Sequence, residues 1–111
     1  MYLYVEMWKP RPEWEALSRE QRQEYLQQMA TGIEKMMVSG VELIGFAAND
    51  EGVPDEADCR YIAVWKMPNL GHVHMLEKAV KTEGWGNFFE IGNARGRLLS
   101  IDEAINNMVS Y

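Results

Sequence analysis

The sequence is poor in cysteine. Cys59 is the only one in 111 residues, and a single thiol excludes an internal disulfide and any paired-thiol metal or redox motif. A reducing, cytoplasmic setting is the expectation that follows. Basic residues are also scarce. Eleven Lys and Arg face 17 Asp and Glu, for a net charge of −6. That balance excludes the basic face a nucleic-acid backbone requires and disfavours an anionic membrane surface. No apolar run approaches the roughly 20 residues needed to span a bilayer. The opening "MYLYVEMWKP" carries an early acid and no basic leader, so it is expected to be folded chain and not a secretory signal. Against these absences stands a chain that is 47% hydrophobic and 25% charged, a globular composition. Its length fits one domain spanning residues 1–111. Eight Met, four Trp, five Tyr and three Phe exceed what one small core needs and point to a second buried surface.

The hydrophobic pattern divides the chain into a short series of elements. Residues 2–8, "YLYVEMW", alternate with period two, which predicts a strand. The two prolines of "KPRPEW" are expected to block both strand and helix. Ser18 with Gln21 forms a capping box, predicting a helix to about Ser39, with Gly40 as its stop. "VELIGFAA" and "CRYIAVW" read as the second and third strands, separated by the acidic loop "NDEGVPDEAD". Asn69 caps a second helix that runs to about Thr82. "NFFEIGNARGRLL" reads as a fourth strand, with a bulge or bend expected at Gly92 and Gly96. Ser100 with Glu103 makes another capping box, opening a short C-terminal helix.

This βαββαβ order is the split βαβ arrangement of a ferredoxin-like α+β fold, in which two helices cover one face of a four-stranded antiparallel sheet. In the first and third strands both parities are apolar or aromatic: Tyr2, Tyr4 and Trp8 oppose Leu3, Val5 and Met7, and Tyr61 and Trp65 oppose Ile62 and Val64. Both faces of the sheet therefore call for burial, and a large apolar surface left open marks an interface. Pairing of two copies sheet to sheet across a two-fold axis is the simplest answer. The layout, with "AVWKMPN" before the second helix, resembles the dimeric α+β barrel superfamily. "PEWEALSREQR" is similar to the opening of darcynin-type bacterial proteins. The resemblance implies a homodimer of ferredoxin-like protomers. It does not imply one activity, because that superfamily includes quinone-forming monooxygenases, haem-degrading enzymes, lactone isomerases and proteins without known activity.

Polar residues inside apolar helical arcs nominate a site. On the second helix Leu70, Val73, Leu76 and Val80 form an apolar arc that contains Glu77, with His74 at its edge. These are the candidate acid–base pair, Glu77 acting and His74 assisting. The first helix has Leu26, Met29, Ile33 and Met36 on one arc, and Arg22 and Tyr25 lie in it. An Arg22–Glu77 ion pair would either close the core or hold an anionic ligand. Gly32 would allow close helix approach. A second candidate pocket comprises Tyr4, Glu6, Tyr61 and Trp65, with Asn93 and Arg95 as weaker members. There Glu6 is expected at the dimer face, paired with Arg60, Lys66, Arg95 or Arg97. His72 and His74 diverge by about 200° on a helix and cannot chelate together, so no metal or cofactor is expected, and His72 reads as an exposed residue.

Two functions fit these features. One is a small-molecule-binding protein, or cofactor-independent enzyme, that holds a small organic ligand, an aromatic one among the candidates, in a helix–sheet cleft lined by Glu77, His74, Arg22 and Tyr25. The other is a non-catalytic homodimeric accessory or regulatory protein. A cavity of a few hundred Å³ beside Glu77 separates them, and a filled cleft there favours the second.

Overall fold

The computed structural model describes residues 1–111. Strand β1 (Tyr2–Pro10) is followed by a single turn of helix, α1 (Pro12–Glu15), and by the long helix α2 (Arg19–Ser39). Strands β2 (Glu42–Ala48) and β3 (Tyr61–Met67) precede α3 (Leu70–Thr82), a second short turn α4 (Trp85–Phe88), β4 (Phe89–Arg97) and the terminal helix α5 (Ile101–Val109). The sheet order is β2-β3-β1-β4 with every neighbouring pair antiparallel. This is the ferredoxin-like α+β arrangement.

Local chemistry explains the boundaries. Ser18 accepts from the Gln21 backbone and Gln21 answers the Ser18 backbone, so two orphan amides of α2 are satisfied. Gly40 ends α2 at φ 115°, a left-handed conformation that a side chain would strain. The prolines act differently from expectation. Pro10 is the last residue of β1, and Pro12 opens α1, where a missing amide costs nothing. The irregularity in the sheet also lies elsewhere. β4 pairs with β1 without interruption from Tyr2↔Arg97 to Pro10↔Phe89, and the register shift falls in β2 between Leu43 and Gly45.

One parity of the sheet lies beneath the helices. Tyr4, Glu6 and Trp8 of β1, with Ala63, Trp65 and Met67 of β3, are buried with Val73 and Leu76 of α3. This corrects the expected placement of Glu6: it lies on the helix-covered face and not on the outer one. The outer face presents Leu3, Val5 and Met7 opposite Lys66, Val64 and Ile62 of β3 and Gly96, Ala94 and Gly92 of β4. None of Leu3, Val5, Met7, Ile62 and Val64 is buried.

The two helices cover the inner face unequally. α3 buries Val73 and Leu76 completely, whereas α2 buries only Met36 and leaves Leu26 exposed. The gap between α2 and the sheet is a cavity. Gly32 does not serve close helix contact, since a Cβ there would meet nothing within 4 Å. α5 buries no residue, although Ile101, Ile105, Met108 and Val109 are apolar. The radius of gyration, 15.8 Å, exceeds the roughly 13 Å of a compact chain of this length.

Candidate ligand cavity

The cavity measures about 710 Å³ and is bounded by α2, α3, α4 and the inner face of the sheet. All four tryptophans of the chain, Trp8, Trp14, Trp65 and Trp85, line it. Their positions are fixed by an aromatic network. Trp8 meets Trp85 edge-on with ring centroids 5.6 Å apart, and Trp85 stacks on Phe89 at 4.3 Å. Trp14 lies 4.8 Å from Phe89. α1 and α4, one turn each, exist to seat Trp14 and Trp85, their only buried residues. Such contacts hold rings with little freedom, so the wall is preformed.

Glu6 is the only charged residue of the chain that is buried, at 5% exposure, and it lines this apolar space. Its Oε1 accepts a hydrogen bond of 2.7 Å from the Trp65 indole Nε1–H. No cation pairs with it, which corrects the expected partnership with Arg60, Lys66, Arg95 or Arg97. Oε2 has no protein partner, yet no buried side-chain oxygen is unsatisfied, so Oε2 opens on the cavity. Burial pushes the Glu6 carboxyl upward from its ordinary pKa, and the Trp65 hydrogen bond opposes this only in part.

A stability test follows. A carboxyl raised in the folded state holds its proton more tightly there than in the unfolded chain. Its contribution is full below the unfolded value of about 4.3 and disappears as pH rises through the higher folded value. Glu6→Gln does not titrate. The variant is therefore expected to gain on the wild type as pH rises, by about 1–3 kcal/mol at pH 8, the usual cost of a poorly compensated buried polar group. At pH 4 the gain should be smallest. Urea unfolding at both pH values measures it, and a pH-independent difference would refute the account.

The other nominated residues are distributed around this space. Tyr61 and Trp65 line the cavity with Glu6, and Arg22 lies at its edge. Arg22 does not reach Glu77. Its Nε and Nη2 donate to the Trp14 and Glu15 carbonyls, and its guanidinium lies over the Trp14 ring at 6.0 Å. It thus ties the start of α2 to α1. Tyr25 stacks on Trp85, and its hydroxyl donates to the Glu83 carbonyl at 2.7 Å. Burial, then the Glu83 charge, raises the Tyr25 pKa.

Glu77 occupies a separate polar cluster. Its Oε2 accepts from the Tyr4 hydroxyl at 3.0 Å and from Arg95 Nε at 3.2 Å. Its side chain is 35% exposed, so it is half-buried and not enclosed. Arg95 supplies the cation because β4 places it opposite Tyr4, on the same face of the sheet. Burial, followed by the Glu77 hydrogen bond, raises the Tyr4 pKa far above the ordinary phenol value. The cluster pins α3 to β1 and β4. His74 is exposed on α3 and is not part of it. His72 is half-buried and not exposed as expected: Nδ1 lies 2.9 Å from Asn69 Oδ1 and Nε2 2.8 Å from the Ser39 carbonyl, joining the start of α3 to the end of α2. Neither histidine lines the cavity, and no three His, Cys, Asp or Glu side chains converge to hold a metal ion.

Trp8, Trp14 and Trp85 escape the sequence reading as site residues. Trp8 shares the parity of Glu6, which was a usable signal. Trp14 and Trp85 sit on single helical turns too short to show any periodicity.

With this geometry the chain can be set beside known proteins. It belongs to the family of unknown function DUF6616, which matches residues 1–111. The similarity of residues 12–22 to darcynin-type proteins stays a resemblance of that segment. No curated protein matches the chain. Among solved structures, a mutant chlorite dismutase from Candidatus Nitrospira defluvii superposes with a TM-score of 0.74 at 20% identity, over 96% of this chain and 44% of that one. The same enzyme in complex with imidazole gives 0.73 at 20% identity, over 96% and 43%. A dimeric ferredoxin-like protein from an uncultured marine organism covers 90% of this chain and 96% of its own, at 14% identity and a TM-score of 0.48. The chain thus spans less than half the length of the chlorite dismutases. At these identities the likeness to the chlorite dismutases shows the fold alone, a ferredoxin-like α+β arrangement.

Proposed function

We propose that this protein binds a small, largely apolar organic molecule in the cavity between α2 and the sheet. One observation carries the reading: a space of about 710 Å³, walled by all four tryptophans, contains a single buried carboxyl with an oxygen free. That combination of apolar wall and one convergent polar group is how small-molecule sites are built. A domain selected for stability alone would fill the space, because each void forfeits packing contacts. Chemistry in this site would be proton transfer at Glu6 Oε2. Glu77, nominated from the sequence, serves the reading less directly: its acceptor oxygen is engaged by Tyr4 and Arg95.

The test uses N-phenyl-1-naphthylamine, a neutral dye whose fluorescence rises in apolar surroundings. Wild-type protein should show saturable 1:1 binding in the micromolar range. Gly32→Leu should abolish it. The new side chain has open space before it, and replacing a mid-helix glycine favours α2 by about 1 kcal/mol, so the variant stays folded. Unchanged dye binding in Gly32→Leu would mean that the dye sits elsewhere and that the cavity is not the site.

The outer sheet face supports an assembly reading beside this one. Leu3, Val5, Met7, Ile62 and Val64 share the outer face and none of them is buried, and Lys9 with Glu90, and Lys66 with Glu42, put both charge signs at its corners. A second copy related by a two-fold axis would bury the one and pair the other. A cytoplasmic homodimer, with the cavities on its outer sides, is the form in which we expect the protein to act. No helix is long and apolar enough to cross a membrane.

A further inference from the structure

We infer that the cavity selects a hydrophobic organic cation, an amine on a flat apolar body, with Glu6 Oε2 as its anchor. The inference rests on the cavity reading above and specifies the ligand's chemistry.

Three features of the space point to an amine. First, the buried carboxyl is held ready for a donor. Trp65 occupies Oε1, and Oε2 opens on the cavity without a protein cation beside it. A carboxylate in such a place is compensated best by a ligand that brings its own charge and hydrogen bonds, and a charge-assisted bond is the strong kind. A ligand carboxylate would instead place like charges together. Second, the wall is aromatic. Trp8, Trp14, Trp65, Trp85 and Tyr61 line the space, and indole rings attract ammonium groups more strongly than other aromatic side chains do. Third, the surrounding charges favour entry of a cation. The ionisable groups lining the cavity are Glu6, Arg22, Glu83 and Tyr61. The Arg22 guanidinium is already committed to two backbone carbonyls and the Trp14 ring, and the chain as a whole carries −6. The next group along β1, Tyr4, directs its hydroxyl to Glu77 and not to Glu6.

Proton bookkeeping is balanced without another reactant. If Glu6 is protonated before binding, a neutral amine takes its proton and the ion pair forms. If Glu6 is ionised, an ammonium enters with its proton and the same pair results. Either way the buried carboxylate gains a cation that offsets the cost of its burial.

The experiment compares three probes of one shape by calorimetry at pH 7.5: tryptamine, the neutral 3-ethylindole, and indole-3-propionate. Wild-type protein should bind tryptamine about 10- to 100-fold more tightly than 3-ethylindole, the value of one charge-assisted hydrogen bond, and indole-3-propionate most weakly. Glu6→Gln, which keeps the acceptor for Trp65, should bind 3-ethylindole as the wild type does and lose the preference for tryptamine. In the wild type, the Trp65 indole N–H resonance should shift on tryptamine binding, a readout that needs no variant. Equal binding of tryptamine and 3-ethylindole by the wild type would overturn the amine assignment while leaving the cavity reading standing. So would an amine preference that survives in Glu6→Gln. Failure of all three probes to bind, together with failure of the naphthylamine dye, would overturn both readings.

Discussion

Trp8→Ala should destabilise the domain by about 3–5 kcal/mol, as removal of a buried aromatic does. Trp8 is the hub of the inner face. Its ring lies 5.6 Å from Trp85, 6.1 Å from Tyr61, and 6.4 Å from both Phe46 and Phe89. Those residues come from four separate elements, so truncation removes a contact shared by β2, β3, α4 and β4 at once. The neighbourhood cannot collapse to refill the void, because Trp8 already borders the cavity and the new space would join it. Small domains are stable by only about 5–15 kcal/mol, so the variant should unfold at markedly lower urea concentration or fail to fold at 37 °C. A loss below about 1 kcal/mol would mean that Trp8 does not face the helices and that the parity of β1 is reversed.

Val5→Asp should halve the particle mass. Val5 is central on the outer face, flanked by Leu3 and Met7 and paired with Val64 and Ala94. In a sheet-to-sheet dimer a carboxylate there would be buried without a partner, which costs several kcal/mol for each copy. The two-fold axis brings two such charges to one interface, so the effect is doubled. Sedimentation at micromolar concentration should give about twice the chain's 12.8 kDa for the wild type and one chain mass for the variant. Glu51→Lys, in the exposed loop between β2 and β3, should leave the mass unchanged. A wild type that sediments as a monomer at every concentration would remove the dimer. Tyr61, which is equally eligible by alternation alone, would be the wrong position for this test, because it lines the cavity. A charge there would act on the core.

The candidate site was only partly legible in advance. Tyr4, Glu6, Tyr61 and Trp65 could be grouped because residues two apart on a strand share a face, and the structure puts all four on one side. Glu77 could be singled out because a carboxyl within an apolar helical arc needs an answer. Its answer is Arg95 and Tyr4, not Arg22. A helical wheel records direction around one axis and says nothing of which strand passes beneath, so it could not choose between cations on α2 and on β4. His74 fell at the edge of the arc, where a few degrees of helix rotation separate burial from solvent, and it went to solvent.

The sequence by itself determined the order of the four strands and the three longer helices, their caps and most of their limits. Those depend on neighbours a few residues apart: the alternation of "YLYVEMW", the Ser18–Gln21 and Ser100–Glu103 boxes, the left-handed Gly40. It also determined that the sheet has two apolar faces. Tertiary structure decided which face the helices cover, since period-two alternation is symmetric and Leu3, Val5 and Met7 are as suited to burial as Tyr4 and Trp8. It decided as well that α2 stands clear of the sheet, so that Trp14 and Trp85, far apart in sequence and on turns too short to be read, close a cavity over Glu6. That spacing is the outcome of packing all the large side chains together, and no local segment carries it.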